Sequence, residues 1–186
     1  MKKITVKGVD YEIRNQQDEI TLLETSKIAA IMAEDGDFTD KWMRVIEILG
    51  SRELVNVMTA KQFVELVSAI QMNDVTFEIK PTIEVGGRTY SLELVDGEID
   101  LSAKDMALIE NIAKKGGAWL HYAYAVVYKD DQLTNTEHYA AAHIKHKAEL
   151  FGENITSDQA SSVVFQLNKQ VVDNVQQLIN ATSTQV

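Results

Sequence analysis

The sequence predicts an α+β fold of two tandem related modules, each a small antiparallel β-hairpin element followed by a helical bundle. Three observations lead there. Ile4–Ile13 and Ile83–Leu92 share one pattern, because a single shift carries Val6 onto Val85, Gly8 onto Gly87, Tyr11 onto Tyr90 and Ile13 onto Leu92. The same shift lays Glu19-Ile20-Thr21-Leu22 over Glu98-Ile99-Asp100-Leu101 without a gap. Around the glycines, apolar residues alternate at two-residue spacing, whereas elsewhere they recur at helical spacing. The modules are expected at 1–74 and 75–180, with a frayed tail at 181–186.

Bulk properties narrow the field. The 186 residues suit one medium domain or two small ones. A hydrophobic share of 45% with 25% charged residues is ordinary for a soluble globular chain. No apolar run approaches the ~20 residues of a membrane span. The start, Met-Lys-Lys-Ile-Thr-Val, enters an alternating pattern with no apolar core of a signal peptide, so no secretory signal is expected. A net charge of −10 disfavours DNA and other polyanions. Its ordinary reading is solubility, and its sharper one an acidic surface that meets a basic protein. The absence of cysteine excludes disulfides, thiolate zinc sites and cysteine nucleophiles, and fits folding in a reducing compartment.

In the first module, Ile4, Val6, Tyr11 and Ile13 make a hairpin turning at Gly8. Arg14–Asp18 is a polar loop. Thr21-Leu22-Leu23-Glu24 is a capping box that opens a helix to about Ala33. Glu34-Asp35-Gly36-Asp37 ends it, and this acidic run lacks the spacing of a calcium loop. A helix over about Thr39–Leu49 should bury Phe38, Trp42, Val45, Ile46 and Leu49 as one stripe before Gly50 stops it. A short helix at Ser51–Val57 follows. A second capping box, Thr59–Gln62, then opens a helix with Phe63, Leu66, Val67 and Ile70 inside.

Val75, Phe77 and Ile79 alternate as a strand that Pro81 interrupts. In the second module, Ile83, Val85, Tyr90, Leu92 and Leu94 form the hairpin, turning at Gly86-Gly87. Asp96-Gly97 is a further turn. Ser102–Asp105 caps a helix with Met106, Ile109 and Ile112, which Gly116-Gly117 ends. A helix from about Ala118 carries Trp119, Tyr122, Ala123 and Val126. The modules diverge after Tyr128, where the second gains a polar stretch, Lys129–Asn135, and a helix near Glu137–Phe151. Thr156–Gln159 repeats the Thr59–Gln62 pattern and opens a final helix to about Asn180.

The candidate functional residues are weighed against packing. His143 and His146 lie three apart on the inserted helix, but no H-E-x-x-H occurs, so a polar outer face opposite Ala140, Ile144, Ala148 and Phe151 is the simpler reading. The tyrosines around the insertion, Tyr122, Tyr124, Tyr128 and Tyr139, are residue types enriched at interfaces, and equally ordinary in cores. No phosphate loop, dinucleotide fingerprint or nucleophile elbow is present. The recurrence of Glu19 and Glu98 is read as electrostatics at helix starts.

Three segments carry a family resemblance: the hairpin Ile83–Leu92 with Gly87-x-x-Tyr90, the aromatic-alanine run Trp119–Tyr128, and Lys147–Thr156 leading into an apolar helix. Together they resemble a pattern found among small bacteriophage virion structural and tail-assembly proteins. In that group a hairpin precedes a helical body with an aromatic-alanine helix. The resemblance implies a non-enzymatic protein that binds other phage proteins, such as portal, tail or baseplate components, or copies of itself in a ring. It implies residence in the virion, or in host cytoplasm during assembly, and carries over no catalytic residue; with the charge, hydropathy and motif readings above, no cofactor, no metal, no direct nucleic-acid contact and no membrane are expected. The expected contact surface is the insertion and the outer part of the last helix, represented by Tyr128, Tyr139, His143, His146, Lys147, Gln170, Asn174 and Gln177. Removing Lys129–Phe151 should then leave a folded chain that no longer binds. Two other readings remain at this point: a cytosolic acidic adaptor or regulator with a single protein partner, and an enzyme or metal-binding protein using the histidine helix.

Overall fold

In a computed structural model of the chain, residues 1–70, 79–167 and 169–170 are described. The expected strand at Val75 and Phe77, the last helix beyond Gln170, Asn174, Gln177 and the tail lie outside them.

Among the described residues three hairpins close through two-residue turns. Lys7-Gly8 joins β1 (Lys2–Val6) to β2 (Val9–Ile13), Gly86-Gly87 joins β3 (Thr82–Val85) to β4 (Arg88–Ser91), and Asp96-Gly97 joins β5 (Leu94–Val95) to β6 (Glu98–Ile99). Both residues of such a turn take positive φ, which matches the right-handed twist of the strands. Gly86 and Gly87 sit at φ 60° and 74°, a region that side-chain-bearing residues enter only at a cost. The register places Val6 opposite Val9 and Val85 opposite Arg88. It turns Val6 and Ile13 of the first hairpin, and Val85 and Tyr90 of the second, into the interior. Leu94 departs from expectation by leaving the second hairpin and starting β5. The polar stretch after Tyr128 begins as β7 (Lys129–Asp130), which pairs with β4 to give the order β3-β4-β7.

The helices start where side chains can satisfy free N–H groups. Reciprocal capping boxes open α1 (Leu22–Ala33) at Thr21 and Glu24, α4 (Ala60–Ala69) at Thr59 and Gln62, and α5 (Ala103–Lys114) at Ser102 and Asp105. Asp37 caps α2 (Phe38–Leu49), and Ser51 caps α3 (Arg52–Val57). The acidic run after α1 is thereby accounted for: Asp37 is a cap, and Glu34 pairs with Arg44 at 3.0 Å. Glu19 and Glu98 do not serve helix starts as expected. Glu19 closes a short 3₁₀ turn and accepts the Asn15 N–H, and Glu98 lies in β6. The second module continues with α6 (Leu120–Val127), α7 (Asn135–His138), α8 (Ala141–Asn154) and α9, helical at 157–167 and 169–170. The single inserted helix expected at 137–151 is thus two, broken at Tyr139-Ala140.

The described residues form two apolar cores. One holds Val6, Ile13, Ile28, Val45, Ile46, Leu49, Leu54 and Leu66 from the first module. The other holds Val85, Tyr90, Ile109, Tyr124, Tyr128, Phe151 and Leu167 from the second. Phe38 joins neither. It is 62% exposed at the first turn of α2, its ring tilted against that of Trp42 with centroids 6.1 Å apart, so the expected stripe begins one turn later.

Helix α1 belongs to both cores. Ile28 and Ile31 pack in the first, whereas Leu22 is fully buried in the second. Backbone bonds fasten its start across the module boundary: Leu22 N–H donates to Ile155 O at 2.8 Å, and Ser157 N–H donates to Ile20 O at 2.6 Å. Helix α8 crosses α1 at Gly152, where a Cβ would stand 3.0 Å from the Leu23 Cβ. Leu23 Cβ is too close to the main chain to swing aside. Gly152→Val is therefore expected to push α8 off α1 and destabilise the chain by about 1–3 kcal/mol, read as a lower urea midpoint.

Candidate functional site

Helix α8 turns Ile144, Ala148 and Phe151 inward at helical spacing, and Lys147 falls on that same face. Its side chain is therefore carried inside, to 1% exposure. Nζ donates to Tyr128 O at 2.7 Å, a carbonyl that the end of α6 leaves without a helical partner. Nζ also lies 3.2 Å from His138 Nδ1, while His138 Nε2 lies 3.0 Å from Val126 O. A carbonyl only accepts, so Nε2 carries the hydrogen, and Nδ1 is the bare nitrogen that receives the Lys147 hydrogen. Burial pushes the Lys147 ammonium down to about 7, against the pull of Asp130. Burial and then the Lys147 charge push His138 down to about 4.

Two carboxylates flank this pair. Asp130 on β7, 2% exposed, accepts from Arg88 at 3.0 Å and from the Gln132 N–H at 3.0 Å. Asp105 on α5, 1% exposed, accepts from Tyr139 OH and from Ser102 Oγ, both at 2.7 Å, with Lys129 Nζ 3.6 Å away. Burial opposes the Asp105 charge, but the hydrogen bonds from Tyr139 and Ser102 and the Lys129 charge hold its carboxyl below the usual range. Beneath lies an aromatic cluster. Tyr124 stacks on Tyr128 at 4.7 Å, and Phe151 meets Tyr90 edge-on at 4.8 Å. Tyr128 OH reaches Lys80 O at 2.6 Å. A cavity of about 230 Å³ opens beside Tyr124, between β3 and the α8–α9 corner, with Lys80, Glu84, Asn154 and Gln159 on its walls.

A second polar contact joins the modules. Helix α6 has no side-chain cap of its own. Ser26 of α1, 1% exposed, supplies one by accepting the Leu120 N–H at 2.9 Å, and it meets His121 Nδ1 at 3.1 Å. Burial, with the nearby Lys27 charge, pushes His121 down to about 4, so the ring is neutral and takes the hydroxyl hydrogen. Ser26→Ala should strand the Leu120 N–H and cost about 1–2 kcal/mol, measured by equilibrium urea unfolding.

The expected contact residues are sorted by this geometry. Tyr128 and Lys147 correct the expectation, since each is 1% exposed and committed to the chain's own interior. Tyr139 is half-buried, bonded to Asp105, with Lys104 Nζ 3.9 Å above its ring. His143 is half-buried, and its Nε2 has no hydrogen-bond partner among the described residues. His146 faces solvent. Gln170 is half-buried and ties α9 to β6 through Ile99 O at 3.0 Å. The fold thus brings together Tyr128, Lys147, Tyr139 and His143, and sets His146 and Gln170 apart. Asp105, Asp130, Ser26, His121 and the pairing role of His138 were missed. One sequence signal was available, a lysine at the core position of the Ile144, Ala148, Phe151 stripe.

Among the described residues no group of three or more His, Asp or Glu is placed to hold a metal ion. The nucleophile types present here, the Lys147 amine and the Ser26 hydroxyl, are enclosed and bonded to groups of the frame. No family model matches the chain, and neither a curated protein nor a solved structure does.

Proposed function

We propose that this is a non-enzymatic bacteriophage structural or tail-assembly protein that works by binding other proteins in the virion, in the portal or tail region. The observation that carries the reading is where the resembling segments fall. Trp119–Tyr128 and Lys147–Thr156 supply α6, the buried face of α8 and the capped start of α9, which together build the second core around Phe151. The pattern is therefore one of frame residues, as suits a protein whose chemistry is surface complementarity. Large apolar side chains on both modules point outward, with Phe38 62%, Val64 61% and Val95 57% exposed, and these can anchor contacts. Duplication suits repeated sites on a ring or tube. Tyr139, His143 and His146 remain on the accessible side of the insertion.

Mass spectrometry of purified phage particles from the source lysate tests this. Presence at a fixed ratio to the portal or tail protein is the expected result. Absence from particles, with abundance in infected cells, would remove the virion role. It would leave an assembly factor, or the second reading, an acidic adaptor with a single protein partner, which the net charge of −10 favours.

A further inference from the structure

We propose that residues 129–140, carrying β7 and α7, form a strap that releases from α8 when the His138 ring gains a second proton. The argument rests on donors and acceptors. His138 Nε2 already holds the hydrogen given to Val126 O, so the next proton must go to Nδ1. That nitrogen lies 3.2 Å from Lys147 Nζ and acts as its acceptor. Once protonated it offers a hydrogen to a group that itself donates, and two cations face each other inside the protein. The contact then turns from attraction to repulsion, and among the described residues no other side-chain hydrogen bond joins α7 to α8.

The surroundings do not absorb the added charge. From β7 the pair faces Lys129 and Asp130, from β4 the Tyr90 ring, from α5 Asp105, and from α8 itself His143, on which Arg88 and His146 act from further out. Tyr139 is bound to Asp105 beneath Lys104, and Glu93 and Glu137 are exposed at the rim. Both buried carboxylates are already engaged, Asp130 by Arg88 and Asp105 by Lys129. A charged His138 adds a cation to Lys147, Lys129 and Arg88 with no further buried carboxylate among the described residues to meet it. The strap is held more lightly than the helices beneath it, because β7 contributes two ladder residues and α7 a single turn. The pair titrates as a unit: the first proton sits on Lys147 and the second is the one that opens it.

Hydrogen exchange on the full chain tests this, with rates corrected for the intrinsic effect of pH. Between about pH 7.5 and about pH 4.5, amides of 129–140 should exchange at least ~10-fold faster while α1 and α6 stay protected. His138→Gln keeps a donor for Val126 O and an acceptor for Lys147 but cannot titrate, so it should abolish the acceleration. The same acceleration in His138→Gln, or opening of the strap only together with α1 and α6, overturns the proposal. If His138→Gln does not fold at neutral pH, a nuclear magnetic resonance titration of the wild-type chain decides. Strap amides that shift along the His138 imidazole curve support release, and amides that shift independently of it refute it.

Discussion

Deletion of residues 129–151 is expected to unfold the second module, not to leave a folded chain stripped of one surface. The deleted span contains Ile144, Ala148 and Phe151, all buried, together with the strand that pairs with β4. It also removes Lys147 and His138, which satisfy the Tyr128 and Val126 carbonyls. Phe151 is the sharpest single probe, because it touches Tyr90, Tyr124 and Tyr128 at once. Phe151→Ala should cost about 3–5 kcal/mol, since a rigid aromatic surround collapses poorly onto the space left. That is a large share of the ~5–15 kcal/mol available to a domain. Trp42 packs on the first core and Trp119 on the second, so fluorescence of Trp42→Phe and Trp119→Phe backgrounds reads each core separately. Loss of a cooperative Trp119 transition in the deletion is the expected outcome. A sharp, native-like Trp119 transition would show that the insertion is peripheral. Coincident midpoints for both tryptophans in the intact chain would show that α1 couples the cores into one unit.

Stability should rise with pH from neutrality to about pH 9, and Lys147→Met should remove most of that rise. The folded chain holds Lys147 at about 7 against 10.5 when free, so between these values the unfolded chain binds the extra proton. Raising pH through that window withdraws this advantage, at a slope approaching about 1.4 kcal/mol per pH unit. The neutral amine keeps two hydrogens, enough for both Tyr128 O and His138 Nδ1. Toward acid, His121 and His138 act with the same sign. Each is held at about 4 against 6.5, so stability falls as pH drops from 6.5 toward 4. Above pH 10 the sign reverses. Burial raises the Tyr124 and Tyr128 phenols, so the unfolded chain loses those protons first and stability declines. Urea unfolding at a series of pH values checks the shape. A Lys147→Met profile parallel to the wild type between pH 7 and pH 9 would show that the lysine is not the titrating group. Lys147→Ala should be the more damaging change at neutral pH, because it leaves a void and two unpaired acceptors, whereas methionine fills the same space.

Much of this fold is written in short stretches of the chain. The Lys7-Gly8, Gly86-Gly87 and Asp96-Gly97 turns, the capping boxes at Thr21, Thr59 and Ser102, and the stops at Gly50 and Gly116 depend on residues at most a few positions apart. The physics acting there is local: φ at a glycine, or a hydroxyl meeting the N–H three residues on. The inward sets Val45, Ile46, Leu49 and Ile144, Ala148, Phe151 are legible for the same reason, since helical spacing alone puts them on one face.

The site was hidden because its residues meet only across the fold. Read alone, Lys147 and Tyr128 are polar-tipped side chains suited to a surface. They become interior because α6 and α8 pack against each other and leave helix-end carbonyls that a long amine can reach. Ser26 resembles any mid-helix serine until α6 arrives at its hydroxyl without a cap. Gly152 marks no turn, and its role appears only when Leu23 lies against it. The sequence alone determined the duplicated hairpin-and-helix plan, through periodicity and caps that neighbouring residues enforce. Tertiary structure decided that α1 serves both cores and that a lysine sits among tyrosines. Those outcomes follow from desolvation and from unpaired backbone groups, which exist only once distant segments are packed together.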